Sequence, residues 1–190
     1  MRVLRKRDPL CYTKQMNKYK LTESKERNGQ NMTYIWHPNE IPEGILLHQV
    51  YGFAHTDDNL VTLVRDKEEQ RFTLPGGGIE SGETAIKALV REFTEEAQFD
   101  LKDIKLLGSL EIINNNAEKE IDRHNLQVRF VCKIGHLEKF IPLKNGFETE
   151  ERIFVFYKDL PKYISFIEKY TTGKMQYDMF CDYIEKNLQL

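Results

Sequence analysis

The order of hydrophobic periods along the 190-residue chain predicts a mixed α/β sandwich of the α+β class. Three observations carry this reading. Strand-like runs dominate, one segment of helical period interrupts them mid-chain, and an apolar stripe at helical spacing closes the sequence. Strands and helices do not alternate regularly, as a doubly wound parallel sheet would require. The length suits one compact domain with an extension.

Residues 1–30 form the extension. They hold nine Lys or Arg against three Asp or Glu, a net +6, which leaves −8 on residues 31–190 given the overall −2. Such a basic, weakly apolar stretch reads as a solvated, mobile tail, with nucleic-acid contact as the lesser reading. It lacks the apolar centre of a secretion signal, because Val3 and Leu4 are followed at once by Arg5, Lys6 and Arg7.

Residues 31–190 form the main domain. Tyr34–Trp36 reads as a short strand stopped by His37, Pro38 and Asn39. Ile45–Ala54 and Leu60–Arg65 are two further strands, paired through a turn at Asp57, Asp58 and Asn59. Phe72, Thr73 and Leu74 lead into Pro75 and a glycine run. From Thr84, a good N-cap, the apolar residues Ala85, Ala88, Leu89 and Phe93 recur at helical intervals. Ile104–Ile113 is strand-like, and NNNAEKEIDRHN, residues 114–125, is a polar loop. Leu126, Val128, Phe130 and Cys132 then alternate with polar residues in the period of a half-buried strand. After a turn at Gly146, Ile153–Tyr157 is another strand, and Leu160 with Pro161 opens a helical region. Its stripe of Phe180, Tyr183, Ile184 and Leu188 would cover a sheet, or alternatively form the interface of a homodimer.

With 40% hydrophobic and 31% charged residues, the composition is that of a soluble globular protein, and no apolar run is long enough to read as a membrane helix. Cys11, Cys132 and Cys181 have neither zinc-site spacing nor disulfide density, which fits a reducing, cytoplasmic compartment. Cys132 falls on the apolar side of its strand and reads as a packed thiol.

The chemistry concentrates in GGGIESGETAIKALVREFTEEAQF, residues 76–99. A glycine-rich turn before a helix is an anion cradle. On an α-helix, Glu92, Glu95 and Glu96 would fall within about 100° of one another, at about 100° per residue. Like charges so placed repel unless a cation screens them. Hard oxygen ligands select Mg²⁺, Mn²⁺ or Ca²⁺, and Mg²⁺ characteristically bridges carboxylates to phosphates. The glutamates would hold metal, and the metal would hold phosphate.

From Gly77 the chain reads Gly, five residues, Glu83, seven residues, Arg91-Glu92, Phe93, Thr94, Glu95-Glu96, Ala97, Gln98 and Phe99. This resembles the Nudix box, G-x5-E-x7-R-E-U-x-E-E-x-G-U with U apolar. Six of its seven specified polar or glycine positions match, which by chance in one window has odds on the order of 10⁻⁷ at about 7% per residue. Gln98 departs from the usual glycine. A non-glycine residue forced into the left-handed conformation there costs about 1 kcal/mol, so a differently shaped loop is expected, with activity retained.

The resemblance implies a Nudix-type α/β/α sandwich with a mixed sheet, and a metal-dependent hydrolase. The bond cleaved would be the diphosphate of a nucleoside diphosphate linked to another moiety, or of a nucleoside triphosphate, with Mg²⁺ or Mn²⁺ as cofactor and a nucleotide as the small-molecule substrate. By the same resemblance, Glu92 and Glu96 are principal metal ligands, and Glu95 and the Gly76 carbonyl are further ones. Arg91 would steady Glu92 or Glu83 by charge-assisted hydrogen bonds, with Glu83 a supporting carboxylate. A general base outside the box is expected before a late strand, among Glu148, Glu150 and Glu151, with Glu150 or Glu151 nearest the strand. Arg65, Arg71, Arg123 and Arg129 could meet phosphates but read as surface charges. Asn114, Asn115 and Asn116 stand where the ADP-ribose-hydrolysing subfamilies carry proline, which weakens that option. The alternative is a non-catalytic Nudix-fold regulator binding nucleotide or nucleic acid, although such proteins usually lose box glutamates.

Overall fold

The computed structural model describes residues 19–27, 29–68, 70–142 and 148–187. Cys11, the first eighteen residues of the basic extension, the Gly146 turn and Leu188 lie outside them.

Strands β1 (Leu21–Arg27), β2 (Gln30–Pro38), β3 (Leu46–His55), β4 (Leu60–Asp66), β5 (Phe72–Thr73) and β6 (Gly76–Gly78) precede helix α1 (Ala85–Glu92). Then come β7 (Phe99–Ile113), the short helix α2 (Glu120–Arg123), β8 (His124–Leu137) and β9 (Thr149–Phe156). A 3₁₀ turn (Tyr157–Lys162) leads to α3 (Ser165–Lys169) and α4 (Thr171–Asn187). The strands form one sheet in the order β1-β2-β7-β8-β3-β4-β5, with β6 added to β3 and β9 to β4. Only β3 and β8 pair in parallel among the described strands, which makes the sheet mixed.

Helices cover both faces of the sheet. Against one face, Ala88, Leu89 and Phe93 pack on Val50, Ala54, Val128, Phe130 and Cys132. Against the other, Ile167, Met179, Phe180 and Ile184 pack on Trp36, Phe53, Leu63, Leu110 and Val131. This is the expected three-layer sandwich, and each layer buries an apolar stripe that would otherwise meet water. Cys132 is packed as expected, its thiol pushed up to about 12 by burial. No helix among the described residues is long and apolar enough to cross a membrane.

The structure differs from the sequence reading at three places. Leu21–Arg27, within the span read as an extension, pairs residue for residue with β2 from Leu21↔Trp36 to Arg27↔Gln30. Its sequence LTESKER lacks apolar alternation because β1 is an edge strand and its side chains are largely exposed. Strand β8 is covered on both faces, because α4 packs on the side that was expected to face solvent. The polar loop at residues 114–125 contains the single-turn helix α2.

Candidate active site

Helix α1 begins as the sequence suggests: the Thr84 hydroxyl oxygen accepts from the Lys87 N–H at 3.3 Å. It does not end as an α-helix. Phe93–Ala97 widen into a π-turn, and the Gln98 N–H donates to the Phe93 carbonyl five residues back, at 2.8 Å. The three glutamates stay neighbours through this turn: one Arg91 nitrogen bonds both Glu92 and Glu95, and Glu96 feels the charge of both. Glu92 is buried, and Glu95 and Glu96 are half-buried.

Gln98 was expected to change the shape of this corner. Instead it adopts the left-handed geometry itself, at φ 55° and ψ 52°. Two hydrogen bonds hold it there: its side-chain amide donates to the Ile141 carbonyl at 2.8 Å and accepts from the Ile141 N–H at 2.9 Å. The Arg152 guanidinium adds bonds to the Ala97 and Gln98 carbonyls, closing the end of the turn.

Strand β6 lies against the box. The backbone of Gly76 sits at φ 144°, where an added Cβ would stand 2.1 Å from the Val50 carbonyl oxygen. At Gly77 a Cβ would stand 2.6 Å from Glu92 Oε1, so the missing side chain is what lets the Glu92 carboxylate lie on the strand. The Gly76 N–H donates to Glu96 Oε2 at 2.8 Å.

Arg91 ties the carboxylates together. Its Nε and Nη2 donate to the two Glu83 oxygens at 3.2 and 3.0 Å, and Nη1 donates to Glu92 at 2.9 Å and Glu95 at 3.3 Å. A fifth bond from Nη2 reaches the Gly78 carbonyl at 2.7 Å. One guanidinium thus binds both Glu83 and Glu92 and fixes the helix to the strand.

Burial raises the Glu92 carboxyl above its ordinary value, helped by Glu95 and Glu83 and opposed by Arg91. Burial, with the charges of Glu92, Asp66 and Glu95, pushes Glu96 up to about 8, against the pull of the Gly76 N–H. Desolvated carboxylates crowded this way ask for a cation. Their donor set is hard oxygen, which fits a divalent ion of the Mg²⁺ type. Among the described residues no three His, Cys, Asp or Glu side chains are already gathered to hold one. Glu92 is turned to Arg91 and Glu96 to Gly76, so ligation would require those oxygens to change partners.

A cleft of about 740 Å³ opens beside Gly76 and Glu96. Its walls include Asp66 from the end of β4, Glu148 just before β9, Tyr51 from β3, Arg129 from β8 and Gln176 from α4. Glu150 and Glu151 are not among the described residues that line it. Both bind Arg65, at 3.2 and 2.6 Å, across the β4–β9 pair. Asp66 escaped the sequence reading because it stands at the head of a charged loop. Arg129 reads as a surface charge in the sequence and is in fact buried, 6% exposed. Tyr51 and Gln176 carried no signal at all, since only the fold brings strand and helix together.

A sequence model of the NUDIX domain matches residues 47–171. The ADP-ribose pyrophosphatase of Methanocaldococcus jannaschii is 28% identical over 141 residues, 73% of each chain. The solved structure of the Bacillus subtilis pyrophosphohydrolase BsRppH superimposes with a TM-score of 0.64 at 20% identity, covering 84% of this chain and 96% of that one. A UDP-X diphosphatase superimposes at 0.53 with 23% identity, covering 75% and 66%. These two likenesses show a shared fold.

Proposed function

Since this chain belongs to the Nudix family, we propose that it is a hydrolase of diphosphate bonds in nucleotides, working through a divalent metal ion, Mg²⁺ or Mn²⁺. The observation that carries the reading is the pair Glu92 and Glu96, two desolvated carboxylates set against a bare glycine strand, with Glu96 lining a cleft. A structural helix would gain nothing from such a pair, whereas a metal-binding one needs it.

In this reading Glu92, Glu96, Glu95 and the Gly76 carbonyl would hold the ion. When bound, it supplies neutralisation of the diphosphate oxygens and a more acidic water. The remaining work belongs to the chain. Arg91 positions Glu92 and spaces it from Glu83 and Glu95. Strand β6 carries no side chain at Gly76 and Gly77, which leaves room for the Val50 and Tyr51 backbone and for the Glu92 carboxylate. Glu148, an exposed residue on the wall of the cleft, receives the proton of the attacking water on its carboxylate; Glu150 and Glu151 already serve Arg65.

The M. jannaschii relative keeps a nucleoside diphosphate sugar among the candidate substrates despite Asn114–Asn116. Free Cys132 and Cys181 support a reducing, cytoplasmic setting. The test is the appearance of a nucleoside mono- or diphosphate product, resolved by chromatography, from a panel of nucleoside diphosphate derivatives and triphosphates, with and without Mg²⁺ or Mn²⁺. Turnover should need the metal and fall roughly 100-fold or more in Glu96→Gln. Unchanged hydrolysis in that variant would overturn the ligand assignment.

A further inference from the structure

Along β8, Gln127, Arg129 and Val131 point to one face of the sheet, the face under α4. Val131 joins the apolar core there. Two residues earlier the same row buries a guanidinium. Its Nε donates to Gln176 Oε1 at 3.0 Å, one Nη to Gln127 Oε1 at 2.9 Å, and the other, weakly, to the Val128 carbonyl at 3.4 Å. The Tyr51 ring lies 4.5 Å from its central carbon. Every one of these acceptors is neutral, and among the described residues no carboxylate bonds Arg129.

A buried cation held only by amides, a carbonyl and a ring is unusual, since proteins ordinarily pair such charges or use them. Burial lowers Arg129 to about 10, which leaves it charged at neutral pH. The partners are themselves tethered: Gln127 donates to Gln49 at 2.6 Å, which turns its carbonyl oxygen toward Arg129. The guanidinium is therefore oriented with no carboxylate bonded to it among the described residues. It lines the cleft that also holds Gly76 and Glu96. The aromatic rings of Tyr34, Phe72 and Tyr170 line that cleft as well, giving surfaces on which a base could stack.

We propose that Arg129 is the phosphate-binding cation of this cleft, receiving a phosphate oxygen of the substrate that the metal does not hold, with Gln176 as its positioning residue. This rests on the nucleotide-hydrolase reading above. An arginine suits the task because its planar fork meets phosphate with two parallel hydrogen bonds. Since Gln176 comes from α4, the C-terminal helix takes part in choosing the substrate.

The test uses Arg129→Gln and Gln176→Glu. The second keeps the guanidinium and supplies it with an internal carboxylate. Binding of ADP and of inorganic pyrophosphate is measured by calorimetry in EDTA, with adenosine as the uncharged control. Both variants should weaken the two anions at least tenfold and leave adenosine unchanged. In hydrolysis, KM should rise at least tenfold while kcat stays within a few-fold. A rise on both a nucleoside diphosphate sugar and a triphosphate assigns the bound oxygen to the diphosphate; a rise on the triphosphate alone assigns it to a third phosphate.

Wild-type protein that binds no anion in EDTA overturns the proposal. So does Gln176→Glu protein that binds ADP as wild type does, because a merely structural Arg129 would tolerate or welcome the new carboxylate. If no substrate turns over yet both variants lose ADP, the hydrolase reading fails and the phosphate site stands. If Glu96→Gln abolishes turnover while both Arg129 and Gln176 variants bind ADP normally, the site fails alone.

Discussion

Gln98 and Ile141 exchange two hydrogen bonds, side-chain amide to backbone in both directions, across 43 residues of sequence. The pair turns a residue that would strain a left-handed corner into one that anchors it. Each bond contributes about 1 kcal/mol net, and a buried backbone group left unpaired costs about 1–3 kcal/mol. Gln98→Ala keeps the strain and loses both bonds, so thermal or denaturant unfolding should show a loss of about 2 kcal/mol or more. Gln98→Gly relieves about 1 kcal/mol of strain and should lose correspondingly less. Metal-dependent turnover of the glycine variant should stay within a few-fold of wild type. A gain of orders of magnitude would mean that the native corner is a degenerate one.

Gly77 offers a sharper separation of stability from activity. Its φ lies outside the left-handed region, so alanine is conformationally acceptable, and the three atoms nearest the new methyl all belong to the end of the Glu92 side chain. That carboxylate can swing aside at little cost. Gly77→Ala should therefore keep its melting temperature within a few degrees, yet lose roughly 100-fold in turnover as the displaced oxygens leave their place. Equal activity in wild type and variant would show that Glu92 need not lie on the strand.

The two acidic neighbourhoods around β9 can be told apart by kcat. Glu148→Gln should lower kcat by about 10²–10⁴-fold if it accepts the water's proton, with the acid limb of the pH–rate profile removed. Glu151→Gln breaks an ion pair with Arg65 that is partly exposed, and should cost less than about 1 kcal/mol of stability and little turnover. The reverse ranking would return the general base to the strand.

Glu23 should make the C-terminal helix sensitive to acid. From edge strand β1 its carboxylate accepts from the Thr171 and Thr172 N–H groups at 3.0 and 2.7 Å and from the Thr172 hydroxyl at 2.5 Å, capping α4 from outside the helix. Burial alone would raise this carboxyl, but the Thr172 and Thr171 bonds outweigh it and hold it below its ordinary 4.5. A carboxyl lowered on folding stabilises fully above its unfolded value and loses that contribution as pH falls through the folded one. Glu23→Gln should therefore melt lower than wild type at pH 7, by an amount equivalent to about 1–2 kcal/mol. The gap should close progressively below about pH 4.5. A gap independent of pH would show that the charge plays no part.

What the sequence reveals and what it conceals follow one physical division. The box is legible because its residue types stand at fixed spacing, the pattern that the proposed metal ligation would demand, and Thr84 is legible because capping is local. The π-turn is not, since the residue that holds it open bonds Ile141 far along the chain. Arg129 reads as a surface charge because nothing near it in sequence shows that α4 will cover its strand face. Strand β1 hides for the opposite reason: at an edge its polar side chains stay in water, so pairing leaves no apolar imprint.

The parallel pairing of β3 with β8 sets Val50 beside Val128 and Tyr51 beside Arg129, on opposite faces of the sheet. Neighbouring positions on these strands thus answer to different masters. Even-numbered residues 50 and 128 meet the helix that carries the glutamates, while odd-numbered residues 49, 51, 127 and 129 border the cleft on the other side. Inheritance can then revise the lining of the cleft, one alternate residue at a time, without disturbing the helix that carries the glutamates.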